Sequence, residues 1–93
     1  MISITLLTAP SCHLCDDAKG VLDRVAADFA FTIEVVPTTT DRGQKLMIEH
    51  RVAFPPGVLI NDKPFSYGRL SERRLRRELE HRNSQLVDRI LED

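Results

Sequence analysis

The sequence predicts an α/β domain, a four-stranded mixed sheet flanked by helices in the order β-α-β-α-β-β-α. Three observations predict it. Short β-branched apolar runs alternate with segments whose apolar residues recur at helical spacing, the pattern of a sheet layered with helices. Two of the later runs are separated only by a tight polar turn, the mark of a hairpin. The length of 93 residues suits one domain and leaves little room for two. The reading is a single domain over residues 1–93, with 83–93 as a C-terminal helical extension.

The elements follow in order. Ile2 to Ala9 is short and almost wholly apolar, which fits a buried central strand. Pro10-Ser11 breaks it. From His13 to about Phe29 the residues Leu14, Ala18, Val21, Leu22, Val25 and Phe29 fall on one helical face, with charged residues between them. Gly20 costs that helix about 1 kcal/mol relative to alanine, so packing must hold it. Phe31 to Val36 alternates and is β-branched, a second strand that ends at Pro37. This first strand–helix–strand unit should be parallel and right-handed. Thr38, Thr39, Thr40 and Asp41 offer N-caps for a short helix from about Arg42 to His50 that buries Leu46 and Met47. Pro55-Pro56-Gly57 interrupts the chain before the strand Val58-Leu59-Ile60. Asn61-Asp62 turns it into a last strand from Lys63 to about Tyr67, and Gly68 ends that strand. Ser71 caps a final helix carrying Leu75, Leu79, Leu86, Val87, Ile90 and Leu91, with Asn83-Ser84 as a break within it.

Composition narrows the classes of function. Hydrophobic residues make up 42% and charged residues 29%, the mix of a globular domain. A formal net charge of −1 argues against a general nucleic-acid or membrane-surface binder. No apolar run approaches the roughly 20 residues of a membrane helix. Met1 to Leu7 reads as a strand rather than a signal peptide, so the expected location is the cytoplasm. The only two cysteines are Cys12 and Cys15. A pair this close cannot staple distant elements, and in a cytosolic protein it points to redox chemistry or metal binding.

The position of that pair carries more information than its spacing. Ser11-Cys12-His13-Leu14-Cys15 lies where the first strand hands over to the first helix. Unpaired N–H groups and the helix dipole at that point favour negative charge. A thiolate on Cys12 is therefore stabilised relative to a free thiol, and the thiolate is the nucleophile. Cys15 stands about one helical turn on, within reach of Cys12 but more enclosed. An exposed attacking thiolate beside a buried resolving thiol provides the parts for disulfide exchange. Proline directly before a buried strand cannot donate to the ladder, and a cis X-Pro bond at Pro56 would account for it.

A C-x-x-C at a strand–helix junction, followed by strand, short helix, proline, hairpin and final helix, resembles glutaredoxin, a family of the thioredoxin-like fold. The resemblance runs from Ile2 to about Arg82. It implies that Cys12 and Cys15 are the catalytic pair and that Pro56 is a cis-proline facing their sulfurs. It implies further that Pro55 lies where the family pairs its backbone with bound substrate. Proline there has no N–H and offers only its carbonyl. The family's activity is thiol–disulfide exchange, with no tightly bound cofactor and with glutathione as an electron donor. Three departures concern the glutathione site. His13 replaces a proline after the first cysteine, Ala9 and Pro10 stand where a lysine is common, and Gly68 alone stands where a glycine pair is usual.

Other residues have two readings each. His13, if protonated, favours the thiolate and a more oxidising pair, as in His-containing disulfide oxidases; otherwise it is an exposed residue in the first turn. Asp16 and Asp17 complement the helix dipole and also oppose a nearby thiolate. Pro10 fixes the turn and Ser11 supports the active-site loop. Arg51 is a candidate carboxylate ligand or a surface ion-pair residue, and Tyr67 a flank of the cleft or a hairpin tyrosine. Arg69, Arg73, Arg74, Arg76 and Arg77 are interleaved with Glu72, Glu78 and Glu80, a mixture that usually makes a solvated helix face. Substrates are expected to be protein or low-molecular-weight disulfides, with no nucleic acid and no membrane partner, and the chain a monomer or weak homodimer. Two alternatives remain beside exchange. One is a metal or iron–sulfur module on Cys12 and Cys15, although a structural zinc site wants four ligands. The other is an interaction domain whose thiols are incidental.

Overall fold

Strand β1 (Ile2–Thr8) runs through the interior of the sheet, where its apolar residues have neighbours on both sides. The computed structural model describes the backbone of residues 1–92 and the side chains of residues 1–83. After β1 come α1 (His13–Ala26), β2 (Phe31–Pro37), α2 (Asp41–Glu49), β3 (Gly57–Ile60), β4 (Lys63–Tyr67) and α3 (Glu72–Glu92). The spatial order is β2-β1-β3-β4. β1 pairs in parallel with β2, Ile2 opposite Phe31 and Thr8 opposite Pro37. It pairs antiparallel with β3, Ile4 opposite Ile60 and Leu7 opposite Gly57. The sheet is mixed, as expected, and β2 and β4 are its edges.

The two faces of β1 explain the helix placement. Ile4 and Leu6 point to a larger core shared with Ala18, Val21, Leu22 and Val25 of α1, Val58 and Ile60 of β3, and Leu75 and Leu79 of α3. Leu7 points to the other face, where it meets Val36 and Val52, with Leu46 and Met47 of α2 packed against them. Alternation along one strand thus places α1 and α3 on one side and α2 on the other. Leu46 and Met47 are half-buried rather than buried, because α2 is short and covers one corner of the sheet.

Local chemistry fixes the boundaries. Thr40 caps α2, its Oγ1 accepting the Gly43 N–H at 3.0 Å and donating to the Pro37 carbonyl at 2.7 Å. Ser71 caps α3, its Oγ accepting the Arg74 N–H at 3.2 Å. Asn61 (φ 50°) and Asp62 (φ 65°) both have left-handed backbone, the conformation a two-residue hairpin turn requires. Asn61 also closes the far end of the sheet, where its Oδ1 accepts the Ser3 N–H at 2.9 Å. α1 ends at Ala26, short of Phe29, and Phe29 packs on the core from the connection that follows. α3 runs without a break through Asn83-Ser84, contrary to expectation. Neither residue is proline, so each keeps the backbone N–H that the helix ladder needs. The expected apolar positions Leu86, Val87, Ile90 and Leu91 lie outside the described side chains. No helix among the described residues is long and apolar enough to cross a membrane.

Ion pairs clamp α1 to α3. Glu72 receives Arg24 at 2.9 Å and Arg76 at 3.1 Å, and Arg76 reaches Asp28 at 2.7 Å. Hydrogen bonds donated by Arg24 and then Arg76 hold the Glu72 carboxyl below its ordinary value, and those that Arg76 donates to Asp28 and Glu72 raise Arg76 above its own. The arginine-rich stretch is therefore partly neutralised along the helix seam.

Candidate active site

The sheet register gathers one end of the molecule. β1 leaves the sheet after Thr8, one residue beyond the Leu7–Gly57 pair, and Pro56 precedes Gly57 at the same edge. Tyr67 pairs with Gly57, so Gly68 emerges there as well. Three segments distant in sequence, 8–12, 54–56 and 67–68, thus meet at one rim of the sheet.

Cys12 is the N-cap of α1, with extended backbone (φ −113°, ψ 103°). Its Sγ accepts the Cys15 N–H at 3.1 Å, and its carbonyl accepts the Asp16 N–H at 3.2 Å. Serine, threonine or aspartate usually fills this role, so the sulfur stands where a helix solvates negative charge. Ser11 turns the chain into the cap with φ 53°, a left-handed conformation that its short polar side chain tolerates. Cys12 and Cys15 form a disulfide, with Cα atoms 5.2 Å apart. Cys15 is only 2% exposed, whereas Cys12 is half-buried. An incoming sulfur therefore has access to Cys12, and Cys15 stays under cover. Pro10, Ser11 and His13 are exposed around the pair.

The Pro55–Pro56 bond is cis, as expected. Pro56 is buried, and its carbonyl accepts the Gly68 N–H at 2.9 Å, which ties the proline loop to the end of β4. Pro55 is half-buried beside it. Phe54 and Tyr67 flank the loop as an edge-to-face pair, centroids 5.3 Å apart, each about half exposed (51% and 50%). Sequence reasoning missed Phe54. Its signal was a large aromatic beside a proline pair, but the partner lies in another strand. Gly68 serves this arrangement, since its φ of +76° suits glycine and a Cβ there would sit 3.0 Å from the Phe54 ring.

The structure separates the expected residues into two groups. Cys12, Cys15, Pro10, Ser11, His13, Pro55 and Pro56 gather at the sheet rim. Arg51 and Tyr67 line a cavity of about 370 Å³ that runs along β4, and neither cysteine lines it. Tyr67 belongs to both regions through its contact with Phe54. Among the described residues, no three His, Cys, Asp or Glu side chains converge as metal ligands.

The comparison with known proteins fits this geometry. Residues 3–80 match the model of the glutaredoxin-like domain (DUF836). This chain belongs to the glutaredoxin-like domain family. It is also similar to a protein of Archaeoglobus fulgidus named a probable thioredoxin, 32% identical over 76 residues that cover 82% of this chain and 84% of that protein. The glutaredoxin-like match ends at residue 80, within α3 and short of residues 83–93. Membership of this family supports thiol–disulfide oxidoreductase chemistry at its C-x-x-C pair.

Proposed function

We propose that this glutaredoxin-like protein is a thiol–disulfide oxidoreductase working by dithiol exchange, with Cys12 attacking and Cys15 resolving. The observation that carries the reading is the closed Cys12–Cys15 pair at the N-terminus of α1, one sulfur half-exposed and the other 2% exposed. In the reduced form, the Cys12 thiolate attacks one sulfur of a substrate disulfide. That S–S bond breaks, one substrate thiolate leaves and takes a proton, and the other half stays bonded to Cys12. Cys15 then loses its proton and attacks the Cys12 sulfur. The second substrate thiolate departs, and the protein is left as the disulfide described here. Two electrons pass from the protein to the substrate. A second thiol reductant, glutathione or another low-molecular-weight thiol, returns them through the reverse sequence.

Several parts of the site support this chemistry. N–H groups at the start of α1 stabilise the thiolate, as attacker and as leaving group. Pro56, at the same sheet rim that β1 leaves toward Cys12, is assigned the wall of the cleft, and Pro55 offers substrate a carbonyl without an N–H. Pro10 and Ser11 shape the loop before the cap, and His13 adds a positive charge near Cys12 when protonated. The substrates we assign are protein or low-molecular-weight disulfides in the cytoplasm.

Equilibration in graded glutathione buffers, followed by alkylation and mass spectrometry, tests the reading. A single two-electron transition between dithiol and Cys12–Cys15 disulfide is expected. Cys12→Ser should abolish exchange, and Cys15→Ser should accumulate a mixed disulfide on Cys12. Thiols that stay free across the whole range, or exchange that survives in Cys12→Ser, would overturn it.

A further inference from the structure

The register that gathers the sheet rim also fixes what lies beside Pro56. Leu7, Gly57 and Tyr67 stand level across β1, β3 and β4. One residue further out, Thr8, Pro56 and Gly68 form the next rung, at the strand spacing of about 5 Å. Thr8 leads through the turn to Cys12, so Pro56 stands between the end of β1 and Gly68.

The loop that carries Pro56 has few ties of its own. Residues 53–56 lie outside helix and strand, and two of them are prolines without an N–H. Among the described residues, one backbone hydrogen bond holds this stretch, from the Gly68 N–H to the Pro56 carbonyl at 2.9 Å. A single hydrogen bond open to water contributes little net stability. The Phe54 ring supplies what the bond lacks. It turns back over Gly68, so that a Cβ on that glycine would lie 3.0 Å from its Cε2 and 3.2 Å from its Cζ. Gly68 is buried, although Tyr67 and Arg69 on either side are exposed. The Tyr67 ring meets Phe54 edge to face and braces it. The Phe54 ring therefore roofs the bond that ties the proline loop to β4. It belongs to neither apolar core, so core packing does not account for its place.

We propose that Phe54 is a positioning residue for disulfide exchange: closed over Gly68, its ring keeps the Gly68–Pro56 bond shut and so fixes the proline loop beside the cysteine turn. The ring acts through the loop and not on sulfur. Tyr67 is its brace. Glycine at position 68 lets the ring close, since a side chain there would hold it off. This inference rests on the exchange reading above.

Two measurements test it and separate it from that reading. The first needs no redox step. Amide hydrogen exchange of the oxidised full chain, read by NMR, reports local opening of the Gly68 bond. Phe54→Ala should cut the protection of the Gly68 amide by about tenfold, the scale of one edge-to-face aromatic contact. Phe54→Tyr should restore it. Leu75→Ala, which weakens the whole fold, should leave it unchanged, because local opening does not require unfolding. Gly68 protection that Phe54→Ala does not move, or that Leu75→Ala lowers as much, would overturn the proposal while leaving the cysteine chemistry untouched.

The second measurement follows pre-reduced protein with dithiodipyridine, a neutral disulfide. Each protein molecule reduces one disulfide, releases two pyridinethiols and closes its own Cys12–Cys15 bond. Phe54→Ala should lower the rate by about tenfold, since a displacement of about 1 Å at a reacting centre can cost about 100-fold. Phe54→Tyr should return it to the wild-type rate. Alkylation of Cys12 by iodoacetamide, which needs no cleft, should keep its rate and its pH profile in both variants. An exchange rate that Phe54→Ala leaves unchanged, or a fall matched by alkylation, would overturn the positioning role. A fall without loss of Gly68 protection would overturn it as well, in favour of direct contact between the ring and substrate. Failure of the wild type to react with dithiodipyridine would instead refute the exchange reading, whatever the Gly68 amide shows.

Discussion

Gly20 and Gly43 both lie inside helices, and the same substitution to alanine is expected to move stability in opposite directions. At Gly20 of α1 the nearest atom to a new Cβ is the Arg24 Nη1, 3.6 Å away, an ordinary contact with the end of a flexible side chain. Helix propensity then decides, and Gly20→Ala should stabilise by about 1 kcal/mol. In a domain of this size that raises Tm by roughly 4–8 °C. At Gly43 of α2 the same Cβ would meet backbone, with the Thr38 Cα at 2.8 Å and the Pro37 carbonyl carbon at 2.9 Å. Backbone at the end of β2 cannot rotate away, so α2 must lift from the sheet. That movement strains the Thr40 cap, which bonds both Pro37 and Gly43. Overpacking of this kind costs about 1–3 kcal/mol, and against backbone the upper end applies, so after the propensity gain of about 1 kcal/mol a net loss of up to about 2 kcal/mol is expected. Urea denaturation of the oxidised protein, followed by far-ultraviolet circular dichroism, measures both variants. A stabilised Gly43→Ala would refute the argument that close approach, rather than helix propensity, selects glycine there.

Three further outcomes are expected. Leu75→Ala removes a side chain with no exposure at the junction of α1, α3 and the sheet, and should cost about 2–5 kcal/mol in urea unfolding. The Glu72 carboxyl is held below its ordinary value of 4.5 by Arg24 and Arg76, so its contribution is fully present above that pH and is lost as pH falls through the lower folded value. The gap in urea midpoint between wild type and Glu72→Gln should accordingly be constant from neutral pH to about pH 5 and narrow below pH 4.5. Arg51→Gly relieves a left-handed arginine and should stabilise by up to about 1 kcal/mol in thermal melts, because flexibility gained by the unfolded chain offsets part of the relief.

Much of this fold was legible because the two periodicities hardly overlap. The near-continuous apolar run from Ile2 to Ala9 admits a buried strand and the helical spacing of Ala18, Leu22 and Val25 admits one helix face, whereas the separation of Ile4 and Leu6 from Leu7 into two layers came only from the structure. Cys12, Cys15 and Pro56 were legible for a similar reason, since a strand–helix junction and a proline before a buried strand have local signatures. The Phe54–Tyr67 pair was not, because it joins a loop to a strand through a pairing that no local pattern encodes. The cavity along β4 was hidden likewise, with Arg51, Ser66 and Arg74 drawn from three elements. The continuous α3 was misread because Asn83-Ser84 is a weak helix signal that does not by itself break hydrogen bonding.

Strand β2 has a consequence for handling the protein. It is an edge strand, and Ile33 and Val35 on it are 41% and 46% exposed. An open row of backbone donors and acceptors with two β-branched residues beside it is a template for another strand. Glu34, between them and paired with Arg42, keeps a charge on that edge, and Pro37 ends it. Strand addition at this edge is the expected route by which concentrated preparations would self-associate, and Glu34 is the charge that opposes it. Removing that charge would shorten the soluble lifetime of the protein with no change at either sulfur.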